Sequence, residues 1–223
     1  SEKIMQENFK LSFKQVNKLV SFIEAMGEDT GIEEPSVLHS DIIEKFIKVL
    51  NISFPADKYQ KVLDVGCGSG VALKEFAKYG YDAVGISINK KEVEICTDLG
   101  YNAKLMDQSF LDFEDDSFDI VWARHVLEHS IMPTYTLHEF KRVLKNNGVL
   151  YIEIPSPSTP IKHENNPYHF SMFTKNVWRS LLIKAGFSLI SESTMSFAIP
   201  QSNGMKINDE YVNFFAVKNE DEV

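Results

Sequence analysis

The stretch that decides the fold is Val62-Leu63-Asp64-Val65-Gly66-Cys67-Gly68-Ser69-Gly70, followed by Val71-Ala72-Leu73-Lys74-Glu75-Phe76-Ala77-Lys78-Tyr79. The apolar residues before Gly66 predict a buried strand, and the spacing of apolar residues after Gly70 predicts a helix. Three glycines at alternate positions join the two, and glycine is needed where a Cβ would strain the backbone or occupy the space of a ligand. A strand, a glycine-rich turn and a helix together indicate an α/β protein that binds a ligand at the carboxyl edge of its sheet.

The spacing of the glycines indicates which ligand to expect. A dinucleotide-binding turn, G-x-G-x-x-G, would place its third glycine at the position of Val71. Here Asp64 stands two residues before the first of three alternating glycines, a pattern that resembles the first motif of the class I S-adenosylmethionine-dependent methyltransferases. The resemblance implies that Asp64 binds the ammonium of S-adenosyl-L-methionine, and that the turn around Gly66, Cys67, Gly68 and Gly70 binds its carboxylate. A tight structural turn in another α/β protein is the alternative interpretation.

The bulk composition excludes several classes of protein. The chain has 223 residues, 43% of them hydrophobic, and a net charge of -9. An acidic chain argues against a broad nucleic-acid interface, because phosphate contacts need clustered Lys and Arg. Two cysteines form no metal-ligand spacing or disulfide framework, which favours a cytoplasmic setting. No apolar run is long enough for a membrane span, and the start at Ser1 does not suggest a signal peptide.

Two amphipathic helices are predicted before the glycine-rich motif. Apolar residues recur at helical spacing over residues 4–26 and again over residues 36–50, with a loop at residues 27–31 between them. We therefore divide the chain into an N-terminal helical segment, residues 1–58, that covers the active site, and a methyltransferase domain, residues 59–223.

Strands and helices alternate after residue 59, which predicts a mostly parallel sheet with helices on both faces. The last two strands have no helix between them, so the sheet should close with an antiparallel strand. We expect a Rossmann-like, doubly wound α/β fold with seven strands. The predicted strands are 61–65, 82–86, 103–106, 118–123, 148–154, 188–193 and 211–217, and the predicted helices of this domain are 71–79, 90–99 and 134–145.

The exits of the second and third strands carry the other expected contacts to the methyl donor. The family usually has an acidic residue at the second exit to bind the ribose hydroxyls, and this chain has Ser87 followed by Ile88. Part of the family has a hydroxyl residue there, assisted by a side chain five positions later, so Ser87 and Glu92 could hold the ribose together. Alternatively, Ser87 caps a turn and Glu92 is a solvated helix residue.

After the third strand, the resemblance implies that Asp107 accepts a hydrogen bond from the adenine amino group, while the backbone N–H of Gln108 contacts a ring nitrogen of the adenine. An ionised carboxylate only accepts hydrogen bonds, which suits the first role. Alternatively, Asp107 only caps a turn.

A second run, Asp119 to His129, resembles the fourth strand of the family and the turn that follows it. Arg124 and His125 lie at the carboxyl end of that strand, where we expect them to face the ligand. We assign Arg124 to the methyl donor and His125 to the reacting atoms, and we expect His129 to be structural.

Residues 155–173 lack any period and contain several prolines, aromatic residues and histidines, which indicates a functional loop. Its later part resembles the segment after the fifth strand in small-molecule methyltransferases, so we interpret it as an acceptor-side lid. No metal site is expected, because no regular spacing holds the histidines and Glu164 together. The expected acceptor-binding residues are His163, Tyr168, His169 and Phe173.

The resemblance implies methyl transfer by direct displacement from S-adenosyl-L-methionine to a small-molecule acceptor. His169 and His125 are the candidate bases where an acceptor needs one, because imidazole titrates near neutral pH. Two other functions stay open: a non-catalytic partner that has lost the donor, and a nicotinamide-dependent oxidoreductase. The identity of the acceptor and the oligomeric state cannot be predicted from the sequence.

Overall fold

A computed structural model describes residues 10–27, 37–200 and 204–220. The strands are β1 Lys61–Val65, β2 Asp82–Ser87, β3 Asn102–Leu105, β4 Phe118–Arg124, β5 Leu144–Pro155, β6 Phe187–Pro200 and β7 Lys206–Lys218. The helices are α1 Phe13–Gly27, α2 Val37–Ser53, α3 Val71–Lys78, α4 Lys90–Asp98, α5 Pro133–Val143 and α6 Lys175–Lys184, with single 3₁₀ turns at Leu127–His129 and His163–Asn165.

The seven strands form one sheet in the order β3-β2-β1-β4-β5-β7-β6. All pairs from β3 to β5 are parallel, while β7 is antiparallel to both of its neighbours. This confirms the predicted seven-stranded, mostly parallel sheet with an antiparallel last strand. The strand order reverses direction between β1 and β4, and ligands of doubly wound folds bind at the crevice that such a reversal opens.

Successive residues along a strand point to opposite faces of the sheet, and each face has its own apolar core. Leu63 of β1 packs with α5 and α6 on one face, whereas Val62 packs with α2 and α3 on the other. Because both faces are covered, the central strands consist almost entirely of buried residues.

Several boundaries differ from the sequence prediction. Helix α6 was not predicted, although Trp178 and Leu182 on its buried face occupy the core. Strands β6 and β7 extend over 14 and 13 residues as one long antiparallel pair, well beyond the predicted 188–193 and 211–217. The chain passes directly from α5 into β5, so the predicted helix 134–145 ends at Val143. Asn147, within β5, has a positive φ of 61°.

The two predicted N-terminal helices and the loop between them lie partly outside the described residues. The parts outside are residues 4–9 of the first helix, residue 36 of the second and residues 28–31 of the loop. Helix α2 buries its apolar stripe, with Ile47 and Leu50 almost fully covered. Helix α1 instead leaves much of its apolar face in solvent, with Phe13 81% exposed. Among the described helices, none has the length and the apolar character to cross a bilayer.

Candidate active site

The turn between β1 and α3 forms the floor of the site. The amides of Gly66 and Cys67 both donate to the carbonyl of Ile86, at 2.9 and 3.0 Å, which ties the turn to β2. Gly66 has φ 73°, and a Cβ there would lie 2.9 Å from Val126 Cγ2. Gly68 has φ 50°, and nothing lies within 4 Å of the Cβ it lacks. Gly66 is therefore needed for packing, while Gly68 leaves open space beside bare backbone.

The third glycine has a different environment. Gly70 precedes the first residue of α3 in the left-handed conformation, and a Cβ on it would meet Cys96 Sγ at 3.1 Å. It does not line the cavity described below. Packing against α4 therefore accounts for Gly70 without a contact to the ligand.

A cavity of about 320 Å³ opens at the carboxyl ends of β1, β2 and β4. Except for Gly70, the residues expected to bind the methyl donor line it together, as do His125 and one expected acceptor-binding residue, Tyr168. The lining includes Asp64, Gly66, Cys67, Gly68, Ser87, Ile88, Glu92, Asp107, Gln108, Arg124, His125 and Tyr168.

Asp64 is a buried carboxyl group in the cavity wall. Its side chain is almost fully buried, and burial raises its pKa to about 7. Within the described part of the chain, its Oδ2 has no hydrogen-bond partner, and neither does the buried Oε1 of Gln108. A buried acceptor without a donor is costly unless a ligand provides one. The ammonium and amino groups of S-adenosyl-L-methionine would provide such donors, so these residues fit that cofactor.

Ser87 and Glu92 are directly hydrogen-bonded. The Ser87 hydroxyl donates to Glu92 Oε2 at 2.6 Å and accepts from the Asn89 amide at 3.0 Å. Glu92 lies in the first turn of α4, so a carboxylate from this helix lies beside the end of β2. Two predicted residues, five positions apart, form one polar unit on the cavity wall.

Asp107 and Gln108, which follow the end of β3, both line the cavity and both make hydrogen bonds within the protein. Asp107 Oδ1 accepts from the Ser109 amide at 2.7 Å, so Asp107 does cap a turn, as the alternative interpretation proposed. It also lines the cavity, and burial raises its pKa. The side-chain amide nitrogen Nε2 of Gln108 donates to the carbonyl of Val126 at 2.8 Å and thereby links the ends of β3 and β4.

Arg124 and His125 belong to a buried charge cluster. Glu153 of β5 is fully buried and lies 2.8 Å from Arg124 Nε and 2.9 Å from His125 Nε2, and it accepts from the Tyr151 hydroxyl at 2.6 Å. Burial opposes ionisation of Glu153, but the His125 bond and the Arg124 charge lower its pKa to about 2. Burial lowers the pKa of His125 to about 4, so the imidazole is neutral near pH 7. A carboxylate can only accept, so Nε2 of His125 carries the proton.

The structure does not bring every predicted residue to the cavity. His163, His169 and Phe173 of the segment 155–173 lie outside its lining, whereas Tyr168 and the unpredicted Asn166 form part of it. His163 Nε2 is 2.8 Å from Asp209 Oδ1 on β7. Phe173 packs on Trp178, with ring centroids 5.3 Å apart. These two side chains anchor the segment to the rest of the fold.

His169 packs against His129, which also lines the cavity. Their ring centroids are 4.8 Å apart, and burial together with the charge of His129 lowers the pKa of His169 to about 4. His129 Nδ1 lies 3.0 Å from the carbonyl oxygen of Tyr168, which ties the turn after β4 to the segment 155–173.

Three cavity residues from the N-terminal helices were not predicted: Ile23 of α1 and His39 and Ile43 of α2. The His39 ring lies edge-on to His125, with centroids 5.4 Å apart. No local motif marks these positions, because their only signal is the apolar spacing of a helix, and that spacing does not say what the helix covers.

The comparisons with known proteins place the chain among methyltransferases. A family model described as "Methyltransferase domain" matches residues 38–192. The chain is 37% identical over 97 residues to a 2-methyl-6-phytyl-1,4-hydroquinone methyltransferase of Synechocystis, covering 41% of this chain and 30% of that protein. It is 28% identical over 154 residues to a ubiquinone biosynthesis O-methyltransferase of Pelagibacter ubique, covering 62% of this chain and 63% of that protein.

Solved structures show the same fold. The YcgJ protein of Bacillus subtilis superposes with a TM-score of 0.63 at 19% identity, covering 82% of this chain and 99% of that one. The alignments to the two curated relatives span only 30% and 63% of those proteins' lengths.

Proposed function

The chain belongs to the class I S-adenosylmethionine-dependent methyltransferase family, and from that membership we propose that it transfers a methyl group from S-adenosyl-L-methionine to a small-molecule acceptor. The observation that carries the proposal is the buried Asp64 carboxyl at the end of β1, beside the open space over Gly68.

We assign the residues of the cavity to parts of the donor by their chemistry. Asp64 binds the ammonium, the bare backbone at Gly68 binds the amino-acid carboxylate, and Arg124 adds positive charge nearby. Ser87 and Glu92 bind the ribose hydroxyls, with Ile88 beside them. Asp107 and Gln108 bind the adenine, where the buried Gln108 Oε1 accepts from its amino group.

The bound donor supplies an electrophilic methyl group on a sulfonium. The protein then has to align the acceptor and exclude water, because positive charge disappears from sulfur as the acceptor attacks. His125 is neutral and lines the cavity, but its pKa of about 4 makes it a weak base. His169 lies outside the cavity lining, so we favour His125 over His169 as the residue beside the reacting atoms.

The N-terminal helices and the segment 155–173 are proposed to cover the acceptor. Ile23, His39 and Ile43 reach the cavity from one side, and Asn166 and Tyr168 reach it from the other. The two curated relatives act, by their names, in quinol or quinone chemistry, which favours an acceptor of similar size with a hydroxyl group. The two free cysteines favour a reducing, cytoplasmic setting.

The alternative of a partner protein without the donor depended on Ser87 at a position where the family has an acid. Because the Glu92 carboxylate is hydrogen-bonded to Ser87, an acidic group does lie at this place in the cavity, which weighs against that alternative. The nicotinamide alternative has no support from the family to which the chain belongs.

A two-step experiment tests the proposal. Calorimetric titration with S-adenosylhomocysteine, which has the same amino-acid head and adenosine, should show one site per chain. Transfer of a labelled methyl group should then be screened against a panel of phenols and quinols. An absence of binding heat with S-adenosylhomocysteine at high protein concentration would overturn the proposal.

A further inference from the structure

Glu128, His129 and His169 come together at the acceptor side of the cavity. Each offers one ligand atom, and these atoms lie within 4.8 Å of one another. Glu128 is 2% exposed and both histidines are partly buried, so the group is not a solvated surface cluster. Two residues come from the 3₁₀ turn after β4 and the third from the segment 155–173, so only the tertiary structure assembles the set.

The hydrogen bond of His129 fixes the tautomer of its ring. Tyr168 O is a carbonyl and can only accept, so Nδ1 of His129 must carry the proton, and Nε2 then has the lone pair. Histidines that bind metals almost always donate their second ring nitrogen to a carbonyl or a carboxylate, which fixes the tautomer and the ring orientation. His129 has that arrangement without a metal.

His169 provides an independent indication. Its Nδ1 is buried, and within the described ranges 10–27, 37–200 and 204–220 no hydrogen bond of normal geometry reaches that atom, although the ring interacts with the backbone of His163. Buried polar atoms of this kind are rare and call for an explanation such as an ion. An imidazole nitrogen in such a site keeps a lone pair for a cation.

We propose that Glu128, His129 and His169 bind a divalent transition-metal ion of the Zn²⁺ class. Two imidazoles and one carboxylate suit such ions better than Mg²⁺ or Ca²⁺, which prefer oxygen ligands. Three protein ligands leave a coordination position open, as in catalytic zinc sites. Tetrahedral ligands about 2.1 Å from zinc lie about 3.4 Å apart, so small side-chain rotations would close the group around the ion. No metal was predicted from the sequence, because His163, Glu164 and His169 have no fixed spacing, whereas the structure groups His169 with Glu128 and His129.

His129 lines the cavity, so the open position faces the space assigned to the acceptor. This step rests on the proposed function. An acceptor hydroxyl bound to the ion releases its proton to solvent more readily, because the cation stabilises the oxygen anion. That oxygen then attacks the methyl carbon, the carbon–sulfur bond breaks, and its electron pair stays on sulfur. The ion thereby compensates for the weak basicity of His125.

Metal binding is tested on the full chain after treatment with a chelator. Calorimetry with Zn²⁺ and absorption spectroscopy with Co²⁺ should each show one site. His129→Asn and His169→Asn should weaken binding by about 100-fold or more, since even the loss of an outer partner costs about 10–100-fold. Glu128→Gln should have the same effect. His138→Asn removes an exposed histidine outside the cluster and should leave binding unchanged.

The Co²⁺ spectrum also separates this site from the two buried thiols, Cys67 and Cys96. Thiolate ligands give an intense charge-transfer band, and its presence would overturn the proposal. So would an absence of Zn²⁺ binding, or full binding by the two histidine variants. Circular dichroism verifies that each variant is folded. S-adenosylhomocysteine binding by the metal-free chain is measured separately, so a failure of the donor site is distinguishable from a failure of the metal site.

Discussion

His125 and Glu153 are joined twice across the pair β4–β5. The His125 amide donates to the Glu153 carbonyl at 2.9 Å, and its ring Nε2 donates to the Glu153 carboxylate at the same distance. His125 has φ 52°, a left-handed conformation that costs energy for a residue with a Cβ. The two bonds hold this conformation at the position where β4 has ended and the cavity begins.

We expect Glu153→Gln to destabilise the chain by about 3–5 kcal/mol, because it leaves the Arg124 cation buried without a counter-charge. The matched control is Glu192→Gln, which breaks the partly exposed Arg179–Glu192 pair and should cost about 1 kcal/mol or less. Urea denaturation followed by circular dichroism measures both variants. Equal losses for the two would contradict the role assigned to Glu153.

The same pair predicts a loss of stability in acid. His125 has a pKa of about 4 against an ordinary 6.5, and Glu153 has about 2 against 4.5. Both values lie below those of the unfolded chain, so the unfolded chain binds more protons as the pH falls. Stability should therefore decline from about pH 6.5 towards pH 4 through His125, and from about pH 4.5 towards pH 2 through Glu153. Denaturation midpoints of the Glu153→Gln variant should lack the lower of these two declines.

Donor affinity should depend on pH through Asp64. Below its pKa of about 7, Asp64 is protonated and cannot pair with an ammonium, so affinity for S-adenosylhomocysteine should fall by about tenfold per pH unit in acid. Asp64→Asn should bind weakly at every pH and lose this dependence. Calorimetry between pH 5 and pH 8 measures the affinity of both chains for S-adenosylhomocysteine. A wild-type affinity that does not change with pH would exclude the assigned ion pair.

Gly68→Ala should abolish donor binding and leave the chain folded, because a methyl group at this position fills open cavity space. The matched control is Gly80→Ala. Gly80 also has positive φ and open space around its missing Cβ, but it lies outside the cavity lining. Both variants should lose about 1–2 kcal/mol of stability from the left-handed backbone. If both keep their affinity for S-adenosylhomocysteine, the turn does not contact the donor.

Ser87→Ala and Glu92→Gln should each weaken binding of S-adenosylhomocysteine by about tenfold, the loss of one charge-assisted hydrogen bond. Their effects should not add, because the two side chains are hydrogen-bonded to each other. Glu94→Gln removes a carboxylate from the same helix, where Glu94 pairs only loosely with Lys90, and serves as the control. Additive losses in the double variant would show that the two residues act independently.

The fold, and the side chains that meet at the carboxyl edge of its sheet, could be predicted from the sequence alone. Strand β1, the glycine turn and α3 are local in the chain, and their apolar periods and glycines specify them without reference to the rest. The carboxyl ends of parallel strands meet at one edge, so Asp64, Ser87 and Asp107 converge wherever such a sheet forms.

The cavity residues from the N-terminal helices and the Glu128–His129–His169 group depend on tertiary packing. Ile23 and His39 reach the cavity only because the N-terminal helices pack over it, and His169 meets Glu128 and His129 only through the path of the segment 155–173. The environments of Glu153 and Gly70 also depend on neighbours far along the chain, the first on Arg124 and the second on Cys96. Periodicity records which face of an element is apolar, but it does not record which distant element covers that face.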